Sequence, residues 1–164
     1  MTLTKVHKDP VALTMTFTAE FDHTLEAVWA LWADPRKLER WWGPPTHPAT
    51  VTVTDHDLTP GGRIAYFMTG PEGDEYPGWW IVREVQAPTL LVFEDGFADE
   101  DGEASAELPT TTTRVTLATR DGGGTRMDIT STFPSAEALA QLAEMGMQEG
   151  MTQAMGQMDA ILAE

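Results

Sequence analysis

The stretch AVWALWADPRKLERWWGPP, residues 27–45, decides the fold because it predicts two short helices in succession. Apolar side chains recur at helical spacing just before and within it, at Leu25, Val28, Trp29 and Trp32. Asp34-Pro35 ends this first helix, since a residue that precedes proline disfavours the helical conformation. Pro35 then fits the first turn of a second short helix, which ends where Gly43-Pro44-Pro45 turns the chain.

Strand patterns surround this helical segment. The run LTMTFTAEF, residues 13–21, alternates apolar and polar side chains, which predicts a half-buried strand. Further apolar or alternating runs follow between residues 50 and 133, and the Gly-rich stretch DGGG at 121–124 predicts a hairpin. Short turns between consecutive strands indicate an antiparallel sheet.

The chain ends in a pattern typical of one long amphipathic helix, with Ser135 as its N-cap. One helical face collects the apolar side chains of Met147, Met151, Met155, Met158 and Leu162. Three glycines lie in the same segment, and each lowers helix stability by roughly 1 kcal/mol relative to alanine. Flexible methionine side chains suit a surface that adapts to varied apolar ligands, although packing in the core explains them as well.

Composition excludes several classes of protein. The 164 residues carry a formal net charge of −16, with ten Lys and Arg, so we expect no binding to nucleic acid. No apolar run approaches the length of a membrane span, and the N-terminus lacks a signal-peptide core. The chain has no cysteine. We therefore expect a cytoplasmic protein without membrane insertion, with residues 1–12 as an N-terminal arm and residues 13–164 as one domain.

Four further stretches, read together with residues 27–44, resemble one family. They are DLTPGGRIAYFM at 57–68, GPEGDEYPGWW at 70–80, EVQAPTLLVFE at 84–94 and GMQEGMTQAMGQMDAIL at 146–162. The chain resembles the START-like, or helix-grip, superfamily (SRPBCC). Within it, the chain is similar to bacterial domains related to the C-terminal domain of the activator of Hsp90 ATPase, which are grouped with polyketide cyclases.

The resemblance implies an α+β fold in which a curved antiparallel sheet of about six to seven strands surrounds a long C-terminal helix. Two short helices would follow the first strand and close one end of a cavity between the sheet and that helix. The resemblance further implies that this cavity binds a small hydrophobic or amphipathic molecule. The expected cavity residues are Phe17, Trp42, Tyr66, Met68, Trp80, Met147, Met151 and Met155.

Two alternatives remain open at this point: an enzyme of cyclase or hydrolase type that uses the same cavity, or a chaperone-linked adaptor. A homodimer is also possible. No nucleophile motif is present, so the sequence predicts no catalytic residue. Glu20, Tyr66 and Glu84 are the side chains to examine for acid–base chemistry, because burial raises the pKa of a carboxyl group.

No cofactor or metal is expected either. The four histidines lie in different predicted elements, and Asp55 and Asp57 would face away from His56 in a strand.

The sequence contains two pairs of adjacent tryptophans, and the two side chains of each pair must point in different directions. On a helix, Trp41 and Trp42 are about 100° apart, so one packs inward and the other lies nearer the rim. We expect Trp42 to form the roof of the cavity. In a strand, Trp79 and Trp80 point to opposite faces of the sheet.

Overall fold

The computed structural model describes residues 2–42, 50–70, 72–73, 75–97, 110–144 and 146–163, and one antiparallel sheet dominates them. Its eight strands lie in the order β1-β2-β8-β7-β6-β5-β4-β3, and every neighbouring pair is antiparallel. The strands are β1 Thr2–Asp9, β2 Thr14–Phe21, β3 Thr50–His56, β4 Arg63–Thr69, β5 Glu75–Gln86, β6 Leu90–Phe97, β7 Thr111–Thr119 and β8 Thr125–Thr132.

The sheet has eight strands, one or two more than the predicted number of about six to seven. Residues 2–9, which belong to the predicted N-terminal arm, form β1 and pair with β2 at the edge of the sheet. Exposed Lys5, His7 and Lys8 give this segment no continuous apolar alternation. Charged side chains of this kind are typical of an edge strand. Because they interrupt the hydrophobic pattern, that pattern did not predict β1.

Two short helices follow β2, as the sequence predicts. Helix α1 spans Leu25–Ala33 and is capped by Thr24, whose hydroxyl accepts a hydrogen bond from the Ala27 N–H at 3.2 Å. Helix α2 spans Pro35–Trp41, and the Asp34 carboxylate caps it by accepting from the Arg36 N–H at 2.9 Å. Both caps satisfy backbone donors that a helix leaves free at its start.

The proline between these helices has a further effect on the backbone. In a continuous helix the Leu31 carbonyl would accept from the N–H of residue 35, but Pro35 has none. The indole N–H of Trp41 donates to the Leu31 carbonyl instead, at 2.7 Å. This buried bond ties the end of α2 to the end of α1.

The C-terminal segment is not the single long helix that the sequence predicts. It consists of α3 Ala136–Glu144, α4 Met147–Met155 and α5 Met158–Leu162. Gly146 has a φ of +83°, a left-handed conformation that glycine adopts readily and that interrupts the helix. The second interruption falls at Gly156. The predicted cap at the start of the segment is confirmed, since the Ser135 hydroxyl accepts from the Ala138 N–H at 3.0 Å.

The core lies between one face of the sheet, called here the inner face, and the helices. Buried strand residues alternate along β2, β7 and β8, while buried side chains from α1, α2, α3 and the C-terminal helices complete the cluster. This arrangement confirms the predicted α+β helix-grip architecture with two short helices. Among the described residues, no helix is long and apolar enough to cross a membrane.

Candidate functional site

Six aromatic rings meet on the inner face and form what we call the aromatic cluster. Helix α1, helix α2 and the C-cap residue of α2 contribute one each, as do strands β4, β5 and β6. The members are Trp32, Trp41, Trp42, Tyr66, Trp80 and Phe93. Most neighbouring rings are edge-to-face or tilted, which are favourable arrangements for aromatic pairs.

Trp41 and Trp42 differ in burial, as expected of adjacent residues at a helix end. Trp41 is fully buried and contacts Trp32 edge-to-face, with a ring-centroid distance of 4.7 Å. Trp42 is half-buried, and its ring centroid lies 4.8 Å from that of Trp80 and 6.1 Å from that of Tyr66. Trp41 therefore belongs to the core, and Trp42 covers the aromatic side chains of β4 and β5.

Trp79 and Trp80 lie on opposite faces of β5, as predicted. Trp80 is fully buried and stacks on Phe93, with ring centroids 4.0 Å apart and an interplanar angle of 15°. Trp79 packs closely against Gly96 of the neighbouring strand, where an added Cβ would come within 2.8 Å of the indole. Glycine at position 96 thus makes room for the outer tryptophan, while Trp80 contributes to the aromatic cluster.

Tyr66 reaches across the inner face above Gly78, its partner on β5. Burial, and to a lesser extent the nearby charge of Asp95, raises the pKa of the Tyr66 hydroxyl well above its ordinary value. The indole N–H groups of Trp42 and Trp80 are close enough to oppose this rise in the pKa, yet neither meets the geometry of a hydrogen bond. Tyr66 therefore keeps its proton throughout the neutral pH range.

Three buried indole N–H groups of the aromatic cluster have no hydrogen-bond acceptor among the described residues. They belong to Trp32, Trp42 and Trp80. A buried donor without a protein acceptor is uncommon in folded proteins, because leaving it unsatisfied costs about 1–3 kcal/mol. The cluster is thus largely buried and apolar, and it contains three indole N–H groups without an acceptor among the described residues.

Asp95 is an acidic side chain on the same face of the sheet as this cluster, and the sequence analysis did not select it. It pairs with Trp80 on one side and Thr111 on the other, so it shares the inner face with the aromatic rings. Burial raises the pKa of its carboxyl group to about 7. A signal was present in LLVFEDGF, since strict alternation from Leu91 and Phe93 places Asp95 on the same face.

Six of the eight predicted cavity residues belong to one hydrophobic cluster: Phe17, Trp42, Tyr66, Trp80, Met151 and Met155. Trp42, Tyr66 and Trp80 are in mutual ring contact. Met68 lies two residues beyond Tyr66 on the same face of β4 and is half-buried, as is Met151 on α4.

The remaining three predicted residues are Phe17, Met155 and Met147. Phe17 and Met155 are fully buried in the hydrophobic core, and β2, which carries Phe17, is separated from β5 by three strands. Met147 begins α4, but its side chain lies outside the described residues.

The two glutamates proposed for acid–base chemistry lie away from the aromatic cluster. Glu20 accepts a hydrogen bond from the Arg120 guanidinium at 3.2 Å, and exposed Glu84 accepts one from the Gln86 amide at 2.9 Å. Of the three candidates, Tyr66 alone belongs to the cluster.

The described histidines and carboxylates form no group of three that could hold a metal ion. His56 instead places its Nε2 atom 3.3 Å from the Trp32 carbonyl oxygen.

Comparison with known proteins gives one family match. The family model described as Activator of Hsp90 ATPase homolog 1-like protein matches residues 22–163, which include the aromatic cluster and Asp95. No curated protein matches the chain significantly.

Solved structures share this fold along nearly the whole chain. A protein from Arthrobacter aurescens, solved by NMR, is 49% identical, with a TM-score of 0.92 over 99% of this chain and 92% of its own. A crystal structure from Mycobacterium smegmatis is 48% identical, with a TM-score of 0.87 over 98% of this chain and 97% of its own. An AHSA1 protein from Silicibacter pomeroyi, at 24% identity, shares the fold with a TM-score of 0.70, over 92% of this chain and 97% of its own.

Proposed function

Because the chain belongs to the Activator of Hsp90 ATPase homolog 1-like family, whose fold is consistent with ligand binding, we propose that it binds a small apolar or amphipathic molecule. The binding site lies between the inner face of the sheet and the C-terminal helices. The observation that carries this proposal is the aromatic cluster, in which the partly accessible rings of Trp42 and Tyr66 lie over fully buried aromatic side chains and share the inner face with Asp95. Binding pockets for small molecules typically have this composition, mostly apolar with a few polar groups.

The distribution of burial supports this position. Phe17, Trp80 and Met155 are fully buried, whereas Trp42, Tyr66, Met68, Asp95 and Met151 keep part of their surface accessible. Side chains of the inner face that remain accessible can contact a ligand without unfolding of the core. Met151 lies on α4, next to the glycine-mediated interruption at Gly146, and its flexible side chain can adjust to different ligand shapes.

The test is a thermal-shift and native mass spectrometry screen with fatty acids, fatty alcohols and aromatic ketones. A ligand present at 100 times its dissociation constant stabilises the fold by about 2.7 kcal/mol, which raises Tm by roughly 5–10 °C for a chain of this size. We expect at least one class to give such a shift and to appear as a one-to-one complex.

Two tryptophan variants provide the matched comparison. Trp42→Ala removes an indole from the inner face, and Trp79→Ala removes one from the opposite face of β5. We expect the first variant to weaken ligand binding at least tenfold and the second to leave the dissociation constant unchanged. The proposal is wrong if no member of the panel binds and Trp42→Ala changes only stability, an outcome that favours the adaptor function.

Asp95 supports a second candidate function, acid–base catalysis on a bound molecule. A carboxyl group with a pKa of about 7 is partly protonated at neutral pH and can both accept and donate a proton. The assay is incubation of the ligands in D₂O, followed by mass spectrometry to detect deuterium incorporated at carbon. Deuterium incorporation with the wild-type protein but not with Asp95→Asn would establish that the protein is an enzyme. Equal incorporation with both proteins would exclude catalysis by Asp95.

A further inference from the structure

The two edges of the sheet differ in how their backbone is covered. At the β3 edge, side chains of α2 satisfy both backbone groups of Val53. Glu39 accepts a hydrogen bond from the Val53 N–H at 2.7 Å, and Arg36 donates to the Val53 carbonyl at 3.3 Å. At the opposite edge, β1 pairs with β2 alone among the described residues. Because an edge strand presents a row of unpaired backbone donors and acceptors, β1 offers a place where a further strand can add.

We propose that β1 binds an extended acidic segment of a partner protein, which adds to the edge of the sheet as a further strand. In this mode of recognition, main-chain hydrogen bonds supply affinity and the alternating side chains supply specificity. The proposal is independent of ligand binding at the aromatic cluster, because three strands separate β2, the neighbour of β1, from β5, which carries Trp80.

The charge of β1 is opposite to that of the protein as a whole. Lys5, His7 and Lys8 are all exposed on this strand, whereas the chain carries a formal net charge of −16. The carboxylate of β1, Asp9, accepts hydrogen bonds at 3.0 Å from two backbone N–H groups of the turn that follows. An acidic segment that approaches this edge therefore meets lysine ammonium groups, and charge complementarity of this kind favours the correct partner.

The register of β1 specifies which side chains the partner segment should carry. Pairing with β2 places Lys5 and His7 on the outer face of the sheet, and Val6 and Lys8 on the inner face. Val6 is half-buried and packs against the hydrophobic core. Side chains directly opposite each other on adjacent strands interact, and opposite charges stabilise the pair. We therefore expect an acidic side chain opposite each basic residue and an apolar side chain opposite Val6.

The same charges disfavour other occupants of this edge. Pairing of β1 with β1 of a second copy would bring the basic side chains of both copies together, and like charges directly opposite each other destabilise a strand pair. A nucleic acid would be repelled by the net charge of −16 and lacks the backbone groups that extend a sheet. The lysines thus prevent self-association at this edge and select an acidic polypeptide.

The experiment titrates the full chain into fluorescein-labelled hexapeptides and measures fluorescence anisotropy. The first peptide contains Glu-Glu-Val-Glu, which follows the expected pattern for an antiparallel partner strand. The second contains Lys-Lys-Val-Lys, and the third contains Glu-Glu-Pro-Glu, in which proline lacks the N–H that a paired strand donates. We expect saturable binding of the first peptide, no binding of the second, and binding of the third that is weaker by about tenfold.

Two charge reversals locate the contact. Lys5→Glu should weaken binding of the first peptide by roughly fivefold, since it turns one attractive cross-strand pair into a repulsive one. Arg114→Glu makes the same change of charge at an exposed position of β7, which has a neighbour on both sides, and should leave the dissociation constant unchanged. Should Lys5→Glu fail to fold, Lys8→Glu takes its place. Amide hydrogen exchange of the wild-type complex should slow at residues 5–8 and stay unchanged in β3.

Four outcomes overturn the proposal. Absence of saturable binding of the acidic peptide would remove the partner, and equal binding of the proline peptide would reduce the contact to attraction between charges. Tighter binding of a single-stranded oligonucleotide would identify a polyanion site instead. A dimer in native mass spectrometry that protects residues 5–8 from exchange would identify a second copy as the occupant. Each of these results leaves ligand binding at the aromatic cluster unaffected.

Discussion

The ring of Tyr66 lies directly against the backbone of Gly78: a Cβ atom at position 78 would come within 2.5 Å of both Cζ and the hydroxyl oxygen of Tyr66. Glycine is therefore required at this position for the phenol to cross β5. The contact connects a small residue in the strand GWWIV to the orientation of the Tyr66 hydroxyl group on the inner face.

Gly78→Ala should displace the Tyr66 ring and destabilise the protein by about 1–3 kcal/mol, the usual cost of an added methyl group in a packed site. Urea denaturation measures this loss, and ligand affinity should fall together with it. Gly150→Ala is the control, since no atom lies within 4 Å of its added Cβ. A Gly78→Ala protein with wild-type stability would show that Tyr66 can move aside at no cost.

The glycines of the C-terminal segment should respond in opposite directions. Gly150 lies inside α4 with open space around it, so Gly150→Ala should stabilise the protein by about 0.5–1 kcal/mol. Gly146→Ala should destabilise it by about 1 kcal/mol, because a φ of +83° strains any residue with a Cβ. Denaturation midpoints of the two variants check both signs. A stabilising Gly146→Ala would mean that α3 and α4 can join into one helix.

Asp95→Asn should change the dependence of stability on pH. The folded protein holds a proton on Asp95 up to a pKa of about 7, whereas the unfolded chain releases it near 3.8. Between these two pKa values the folded state binds more protons than the unfolded state, so the free energy of unfolding decreases as the pH rises. The contribution of Asp95 to stability is therefore complete below about pH 4 and is lost as the pH rises through about 7. Asparagine is uncharged throughout. The two pKa values correspond to at most about 4 kcal/mol. Because Asp95 is only half-buried, screening by solvent reduces this, and at pH 8 the variant should be more stable than wild type by about 2 kcal/mol.

Thermal unfolding at pH 4.5 and pH 8 measures this effect, with Asp121→Asn in the exposed β7–β8 turn as the control. The difference in Tm between Asp95→Asn and wild type should increase by about 4–8 °C from the lower to the higher pH. A difference that is equal at both pH values would contradict a raised pKa at Asp95.

The two adjacent tryptophans should differ when each is replaced by phenylalanine. Trp41→Phe removes the indole N–H that donates to the Leu31 carbonyl, and Pro35 has no N–H to replace it. The free energy of unfolding should therefore fall by about 1–3 kcal/mol. Trp42→Phe removes an N–H group that has no acceptor among the described residues and should cost less. Equilibrium unfolding of both variants gives the comparison. Equal losses would mean that ring volume, rather than the hydrogen bond, determines the effect at position 41.

Much of the fold was predictable because its signals are local. Alternation defines β2, while Asp34-Pro35 separates the two short helices. The interruption of the C-terminal helix was harder to predict, because a glycine such as Gly150 stays helical while Gly146 does not. The sequence pattern around the two glycines is similar, so it does not distinguish the position that interrupts the helix from the one that continues it.

The candidate site was only partly predictable, because its geometry depends on register between strands. Sequence reasoning selected Trp42, Tyr66 and Trp80, which meet in the structure. It also selected Phe17, which belongs to the same hydrophobic cluster although three strands separate β2 from β5; parity gives the face of a strand but not its place in the sheet. Asp95 was overlooked because an acidic residue at the end of an apolar strand is more commonly part of a turn.

The pairing of β2 with β8 joins an early and a late part of the chain, so the sheet cannot be completed until both have been made. Thr18 and Asp128 on these strands are joined by a hydrogen bond at 2.6 Å across 110 positions of the chain. Contacts of such long range slow folding, because the loop must close before the contact contributes any free energy. During synthesis, β1 and β2 are made before the other described strands. The edge of β2 that pairs with β8 stays unpaired until β8 has also been made. The strands at the N-terminus are therefore the part of this protein that most needs protection from pairing with other chains before the sheet is complete.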